Sequence, residues 1–294
     1  MSRIKKAANF IEKSMNIIFT LCGFLAVAFV ILITGFLLTS GMPAIGKIGI
    51  TDFLFGRSWA STATPPSYGI LPFILTSVYG TFGAVIIGVP LGLMCAIFVA
   101  KMANDKIAKT VRSSVDLLSG IPSVVYGLVG MLVLVPAIRE WFHIPDGSSL
   151  FAAIIVLAVM ILPSIIKVSI TALDAVPKEY EDASLALGAT PTETYFKVSV
   201  PAAKSGITAA AVLGVGRAIG EAMAVMMVAG NVANMPSLFQ SVRFLTTAVA
   251  SEMSYASYGS LHRDALFSIA LVLFLFIMLV NATLNFFLKR EKEK

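Results

Sequence analysis

Residues 14–46 read SMNIIFTLCGFLAVAFVILITGFLLTSGMPAIG, a run without one charged side chain. A helix needs about 20 apolar residues to cross the hydrocarbon core of a bilayer, so this run holds a crossing. It follows a basic start, as in a signal peptide. Its apolar centre, residues 17–39, is longer than an h-region of about 7–15 residues, so a retained anchor is expected.

Four more charge-free intervals follow, at 58–100, 117–138, 147–166 and 265–288. Pro65 and Pro66 mark a loop inside the first of them, placing the helix start near Gly69. A sixth candidate, 205–229, is interrupted by Arg217 and Glu221. The expected fold class is all-α: a polytopic transmembrane helix bundle forming one domain over 1–294. Its spans are expected at about 17–39, 69–100, 117–138, 148–168, 205–229 and 265–288. Composition agrees. Only 13% of residues are charged, against about 25% in a soluble domain. A mean hydropathy of +0.90 leaves no room for a sizeable water-soluble unit.

The net charge of +6 does not point to nucleic acid, because the basic residues sit beside apolar runs and form no single stripe. They alternate instead. Arg3, Lys5, Lys6 and Lys13 precede the first span. Lys101, Lys106, Lys109 and Arg112 follow the second, Lys167, Lys178, Lys197 and Lys204 the fourth, and Lys289, Arg290, Lys292 and Lys294 the last. The intervening loops hold only Lys47, Arg57, Arg139, Arg243 and Arg263. By the positive-inside rule both termini are expected in the cytoplasm, which requires an even number of spans.

Several motifs dissolve on inspection. GMPAIGK at 41–47 has P-loop spacing, but Ile48 stands where a Ser or Thr must reach magnesium. Gly214 and Gly216 lack the βαβ setting of a dinucleotide loop and read as helix-packing glycines. Asn281 and Thr283 lie inside a span, so they are no glycosylation acceptor. His143 and His262 lie in outer loops without a second ligand at useful spacing. Cys22 and Cys95 fall inside apolar runs and read as small buried hydrophobes. No metal site, nucleophile–base pair or nucleotide site is expected on this chain.

Two places carry more. The segment 174–204 holds Pro177, then KEYEDASLAL, then Gly188. Proline at the start, acids in the first turn and glycine after the end punctuate a short helix. Tyr180, Ala183 and Leu187 share one face. Thr190, Pro191 and Glu193 form a capping box that starts a second helix. From composition alone, an ordinary amphipathic connector is the plainer reading. The other place is the fifth span, where Arg217 and Glu221 are one turn apart on a helix. Ionisable groups in a bilayer cost about 2.5–3.5 kcal/mol each on insertion scales and usually face a partner or a wet path. A self-neutralising pair that locks the helix is one reading. An anion path is the other, because a guanidinium donates two bonds at fixed geometry to an oxyanion.

Asp182-Ala183-Ser184, three residues, Gly188, nine residues, Val198, one residue and Val200-Pro201 resemble the EAA loop of ABC importer permeases. Asp replaces Glu, Ser replaces the second Ala, and Val replaces Ile and Leu. The stretches 120–127 and 216–225 are similar to phosphate-specific permeases. Those at 239–252 and 261–267 resemble the PstC type more than its PstA-type sister. The resemblance spans about 69–285. It implies a type I ABC importer permease that is not itself an enzyme. Its job would be to move inorganic phosphate into the cytoplasm by alternating access, in a bacterial or archaeal inner membrane. Partners implied are a PstA-like sister subunit, two ATPase subunits holding ATP and magnesium, and an outer phosphate-binding protein, with no cofactor on this chain. Arg217 and Glu221 would line the substrate path, and Glu181, Asp182, Ala183 and Gly188 would couple to the ATPase. Pro90 and Pro163 are candidate kinks. The loops 41–68 and 231–264 would dock the binding protein. Another oxyanion such as sulfate or molybdate, or an ion-gradient-driven transporter, stays open from the residues alone. An intramembrane enzyme would need a paired aspartate, zinc-ligand or serine–histidine set at membrane depth, which the sequence does not offer.

Overall fold

The computed structural model describes residues 2–292, with side chains described at 12–284 and at Phe286. Arg3, Lys5, Lys6, Lys289, Arg290 and Lys292 lie outside the described side chains, and Lys294 outside the described residues.

The chain begins with α1 (Ser2–Ile48) and a short α2 (Ile50–Phe55). A two-stranded hairpin follows, β1 (Trp59–Ala60) against β2 (Ser67–Tyr68). Next come α3 (Leu71–Ile97), closed by a π turn at Phe98–Met102, and α4 (Asp105–Ser119). Then α5 (Ser123–Val129) joins α6 (Val135–Phe142) through a second π turn, Gly130–Leu134. After α7 (Leu150–Asp174) lie α8 (Lys178–Ala186), α9 (Pro191–Thr194), a third π turn (Tyr195–Ser199) and α10 (Val200–Ala202). The remainder is α11 (Lys204–Gly220), α12 (Met223–Val228), α13 (Leu245–Glu252) and α14 (Leu261–Lys292).

Among the described residues, five helical stretches are long and apolar enough to cross a membrane: Glu12–Ile48, Leu71–Met102, Ser123–Phe142, Leu150–Asp174 and Leu261–Leu284. A sixth is the bent pair Pro191–Ala202 and Lys204–Gly220, which meet at 72°. The GMPAIGK segment lies within α1, so no loop exists there to cradle a phosphate. Pro90 and Pro163 both sit inside helices that continue past them.

The centre of the bundle is α7. Apolar on all sides, it is the helix that can be surrounded by others, and its most apolar stretch is 61% buried. Its neighbour α3 meets it through small residues at four-residue intervals: Gly80, Ala84, Gly88, Gly92 and Ala96, all buried. Lipid is as apolar as leucine, so helices in a bilayer gain from close van der Waals approach, which small residues permit. A Cβ on Gly88 would lie 2.8 Å from the Ile161 side chain and 3.2 Å from the Ala158 carbonyl oxygen. A Cβ on Gly35 of α1 would meet nothing within 4 Å. Overpacking costs about 1–3 kcal/mol. Gly88→Leu is therefore expected to lower the thermal midpoint in detergent, while Gly35→Ala leaves it in place. Equal midpoints would contradict this packing.

Four expectations change. The third span begins at Ser123, since Pro122 disfavours helix at Ile121 and breaks the chain after Gly120. Residues read as part of a basic loop form α4, an amphipathic helix capped by the Asn104 side chain, which accepts from the Ile107 N–H at 2.9 Å. The fifth span does not run to 229. Its helix ends at Gly220, and Glu221 is extended at φ −74°, ψ 127°. Cys22 is exposed, in an apolar stretch of α1 that is 0% buried among the described residues, whereas Cys95 is half-buried.

Candidate functional site

Arg217 sits half-buried near the end of α11. The helix packs on α7 through Gly214, whose absent Cβ leaves room for Ile165. One turn on, Arg217 reaches across to α7, where its Nη1 donates to Ser164 Oγ at 3.0 Å. Ser164 follows Pro163 and is the first hydroxyl of α7, after the apolar run 150–163. A guanidinium has five N–H donors. The Ser164 bond is the one that Arg217 makes among the described residues, so four donors are available to another partner. A Cβ on Gly216 or Gly220 would meet nothing within 4 Å, so α11 is uncovered at those two positions among the described residues.

Glu221 is elsewhere engaged. The break after Gly220 takes it off the face of Arg217, and no ion pair joins the two among the described residues. Its Oε1 accepts from the Ala224 N–H at 3.0 Å and so caps α12. Its carbonyl accepts from Thr246 Oγ1 at 2.8 Å, tying the break to α13. The helical i,i+4 geometry expected from the sequence is therefore absent, and the self-neutralising pair with it.

The segment 174–204 folds as its punctuation prescribes. Pro177 precedes α8, and Gly188 turns the chain in the left-handed region at φ 89°. The Ala189 N–H donates to the Ser184 carbonyl at 3.2 Å, closing the helix end as a glycine C-cap does. The capping box is complete: Glu193 N–H donates to Thr190 Oγ1 at 3.3 Å and Thr190 N–H to Glu193 Oε2 at 3.2 Å. Ser184 is hydrogen-bonded to the buried Thr194 hydroxyl at 2.9 Å, clasping α8 to α9. The surface of this segment is apolar in patches, with Tyr180, Leu185, Leu187 and Phe196 exposed. Asp182, Ala183 and Gly188 are exposed as well.

Glu181 is not among them. Its carboxylate lies 2.6 Å from Lys101 Nζ and accepts from Ser199 Oγ at 2.8 Å. Burial pushes the carboxyl up, but the Lys101 and Ser199 bonds outweigh it and hold it below the ordinary 4.5. A lowered carboxyl stabilises above its ordinary value and loses that contribution as pH falls through the lowered one. The pair is thus complete at neutral pH.

Gly188→Val is expected to disturb the exposed turn by backbone strain alone, since a Cβ there meets nothing within 4 Å. Left-handed backbone costs an L residue about 1–2 kcal/mol. The expected result is earlier proteolytic cleavage at this turn in detergent extracts. An unchanged cleavage rate would mean that the turn does not need a residue free to be left-handed.

At the other end of the bundle lies a cluster that sequence spacing concealed. The Glu252 carboxylate is buried and accepts from Trp59 Nε1 at 3.1 Å. Arg243 donates to it as well, and His262 Nε2 is 2.7 Å away. His262 thus has an acidic partner. Bonds to a carboxylate from a tryptophan in a hairpin and a histidine in α14 tie that hairpin to α13 and α14. No periodicity links residues 59 and 252, so only the folded chain could reveal this. Ser164 and Lys101 were also missed. The signals were a hydroxyl after a mid-span proline and the first charge ending an apolar interval.

Residues 88–292 match the family described as binding-protein-dependent transport system inner membrane component. The chain is 42% identical over 273 residues to the probable ABC transporter permease protein YqgH of Bacillus subtilis, covering 90% of this chain and 88% of that protein. It is 33% identical over 263 residues to the phosphate transport system permease protein PstC of Pasteurella multocida, covering 83% and 81%. Among solved structures it is similar in fold to a bacterial ABC transporter that imports alginate, with TM-score 0.58, 14% identity, and 91% and 95% coverage. The MetNI methionine ABC transporter is another, with TM-score 0.56, 22% identity, and 76% and 94% coverage. The chain belongs to the inner membrane components of binding-protein-dependent transport systems: it is an integral membrane permease of the ABC importer type, a transport component and not the enzyme.

Proposed function

We propose that this permease moves inorganic phosphate into the cytoplasm by alternating access, driven by ATP hydrolysed on separate subunits. The observation that carries the reading is Arg217, a half-buried guanidinium that makes one hydrogen bond among the described residues and keeps its other N–H donors for a further partner. It lies in a chain 33% identical to a protein named as a phosphate permease. Among side chains, arginine has the planar fork that matches an oxyanion. Glu221, 4 residues on and half-buried, caps α12 and leaves the anion contact to Arg217.

The basic residues near α4 and α8 mark the cytoplasmic end under the positive-inside rule, with both termini on that side. Exposed Asp182, Ala183 and Gly188 would then meet one of two ATPase subunits, where ATP and magnesium are bound. A PstA-like sister permease would complete the path, and an outer phosphate-binding protein would dock on the 41–68 and 231–264 loops. No cofactor is assigned to this chain.

The test is ATP-dependent uptake of radiolabelled phosphate in vesicles holding the whole complex. Unlabelled phosphate should compete and excess sulfate should not. Sulfate competition at equal concentration would move the assignment to another oxyanion. That second reading is kept because the name of the 42% identical relative states no substrate.

A further inference from the structure

The coupling segment is covalently continuous with α7 on one side and with α11 on the other. It has no covalent link to α3. Yet Glu181 of α8 reaches Lys101, in the π turn that ends α3, at 2.6 Å. Both side chains are shielded, 11% and 16% exposed. Ser199, in the π turn between α9 and α10 and fully buried, donates to the same carboxylate at 2.8 Å. One carboxylate therefore joins three separate pieces of backbone. Among the described residues it is also the one ion pair between α8 and the π turn that ends α3.

We propose that Lys101, Glu181 and Ser199 form a latch by which displacement of α8 is delivered to α3 as well as to α7 and α11. Glu181 is then a positioning residue facing the membrane domain, and the ATPase contact belongs to the exposed residues beside it. The physical reason lies in stiffness. A shielded ion pair with a third hydrogen bond holds its geometry, whereas an exposed lysine–glutamate pair contributes little. The exposed Lys197–Glu193 pair, 74% and 49% exposed, makes the comparison within the same segment. Because α3 packs along α7 by Gly88 and Gly92, against Ile161 and Ile165, a tug on Lys101 would bear on the central helix.

The inference rests on the ATP-driven reading of the chain, and the experiment separates the two. The wild-type complex is reconstituted in vesicles with its ATPase and binding protein, and anion moved per ATP hydrolysed is measured with phosphate and with sulfate. If neither anion is moved, the proposed function fails. Whichever anion is moved serves for the variants. Lys101→Met and Glu181→Gln are expected to keep the ATPase bound and hydrolysing, while anion moved per ATP falls about tenfold, in the range of coupling changes along packed networks. Exchanging the charges in Lys101→Glu with Glu181→Lys should recover most of the ratio. A parental ratio in both single variants overturns the latch. So does loss of the ATPase from the purified complex, because the residues would then be building the docking surface and not transmitting its movement.

Discussion

Arg217→Gln is expected to lower ATP-driven anion uptake by about ten- to a hundredfold in correctly inserted complex, with ATPase association unchanged. A hydrogen bond to a charged group is worth about 1.5–3 kcal/mol, and each 1.4 kcal/mol is about tenfold. Glutamine keeps a polar N–H donor on α11 while the charge, the fork and the full reach to Ser164 go. Arg217→Lys should fall between, since lysine restores the charge without the planar fork. Uptake at the parental rate in the glutamine variant would remove Arg217 from the path.

The second large effect concerns stability. Glu252→Ala should destabilise the protein by about 3–5 kcal/mol, the cost of leaving a buried charge without its partner. The carboxylate is 4% exposed and is bonded by Trp59, Arg243 and His262. Removing it takes the acidic partner from a half-buried guanidinium and strands a buried indole N–H. Thermal unfolding in detergent would show a lowered midpoint. Proteolysis should show earlier cleavage in the hairpin that Trp59 anchors. An unchanged midpoint would mean that Arg243 finds equivalent partners, its Nε bond to the Asn231 carbonyl at 2.8 Å being the first candidate.

Much of the coupling segment was legible because its signals are local. Pro177, Gly188 and the Thr190–Glu193 box act within a few residues of themselves, and the structure places each where its chemistry requires. Exposure of Asp182 and inward burial of Glu181 were not legible. Adjacent residues on a helix point about 100° apart, and which of the two meets the bundle depends on where Lys101 and Ser199 arrive. The Arg217–Glu221 geometry was misread for a related reason. A four-residue spacing implies one helix face only if the helix continues, and here it stops at Gly220. Bonds that Glu221 accepts from Thr246 Oγ1 and from the Ala224 N–H hold the interruption open, one of them coming from a helix 25 residues further along.

By itself the sequence determined the all-α membrane bundle, the approximate place of its spans and the two-helix connector. Charge-free length and end-capping are short-range properties, readable from neighbours along the chain. Only the tertiary structure decided that α7 is the central helix, that Arg217 rests on Ser164, and that Glu221 is a cap. It also decided that Glu181 and Glu252 are tied inward. A charged side chain leaving water takes whatever donors the packing of distant helices brings within about 3 Å, and that meeting is settled by how the glycine-lined faces of α3 and α11 seat against α7.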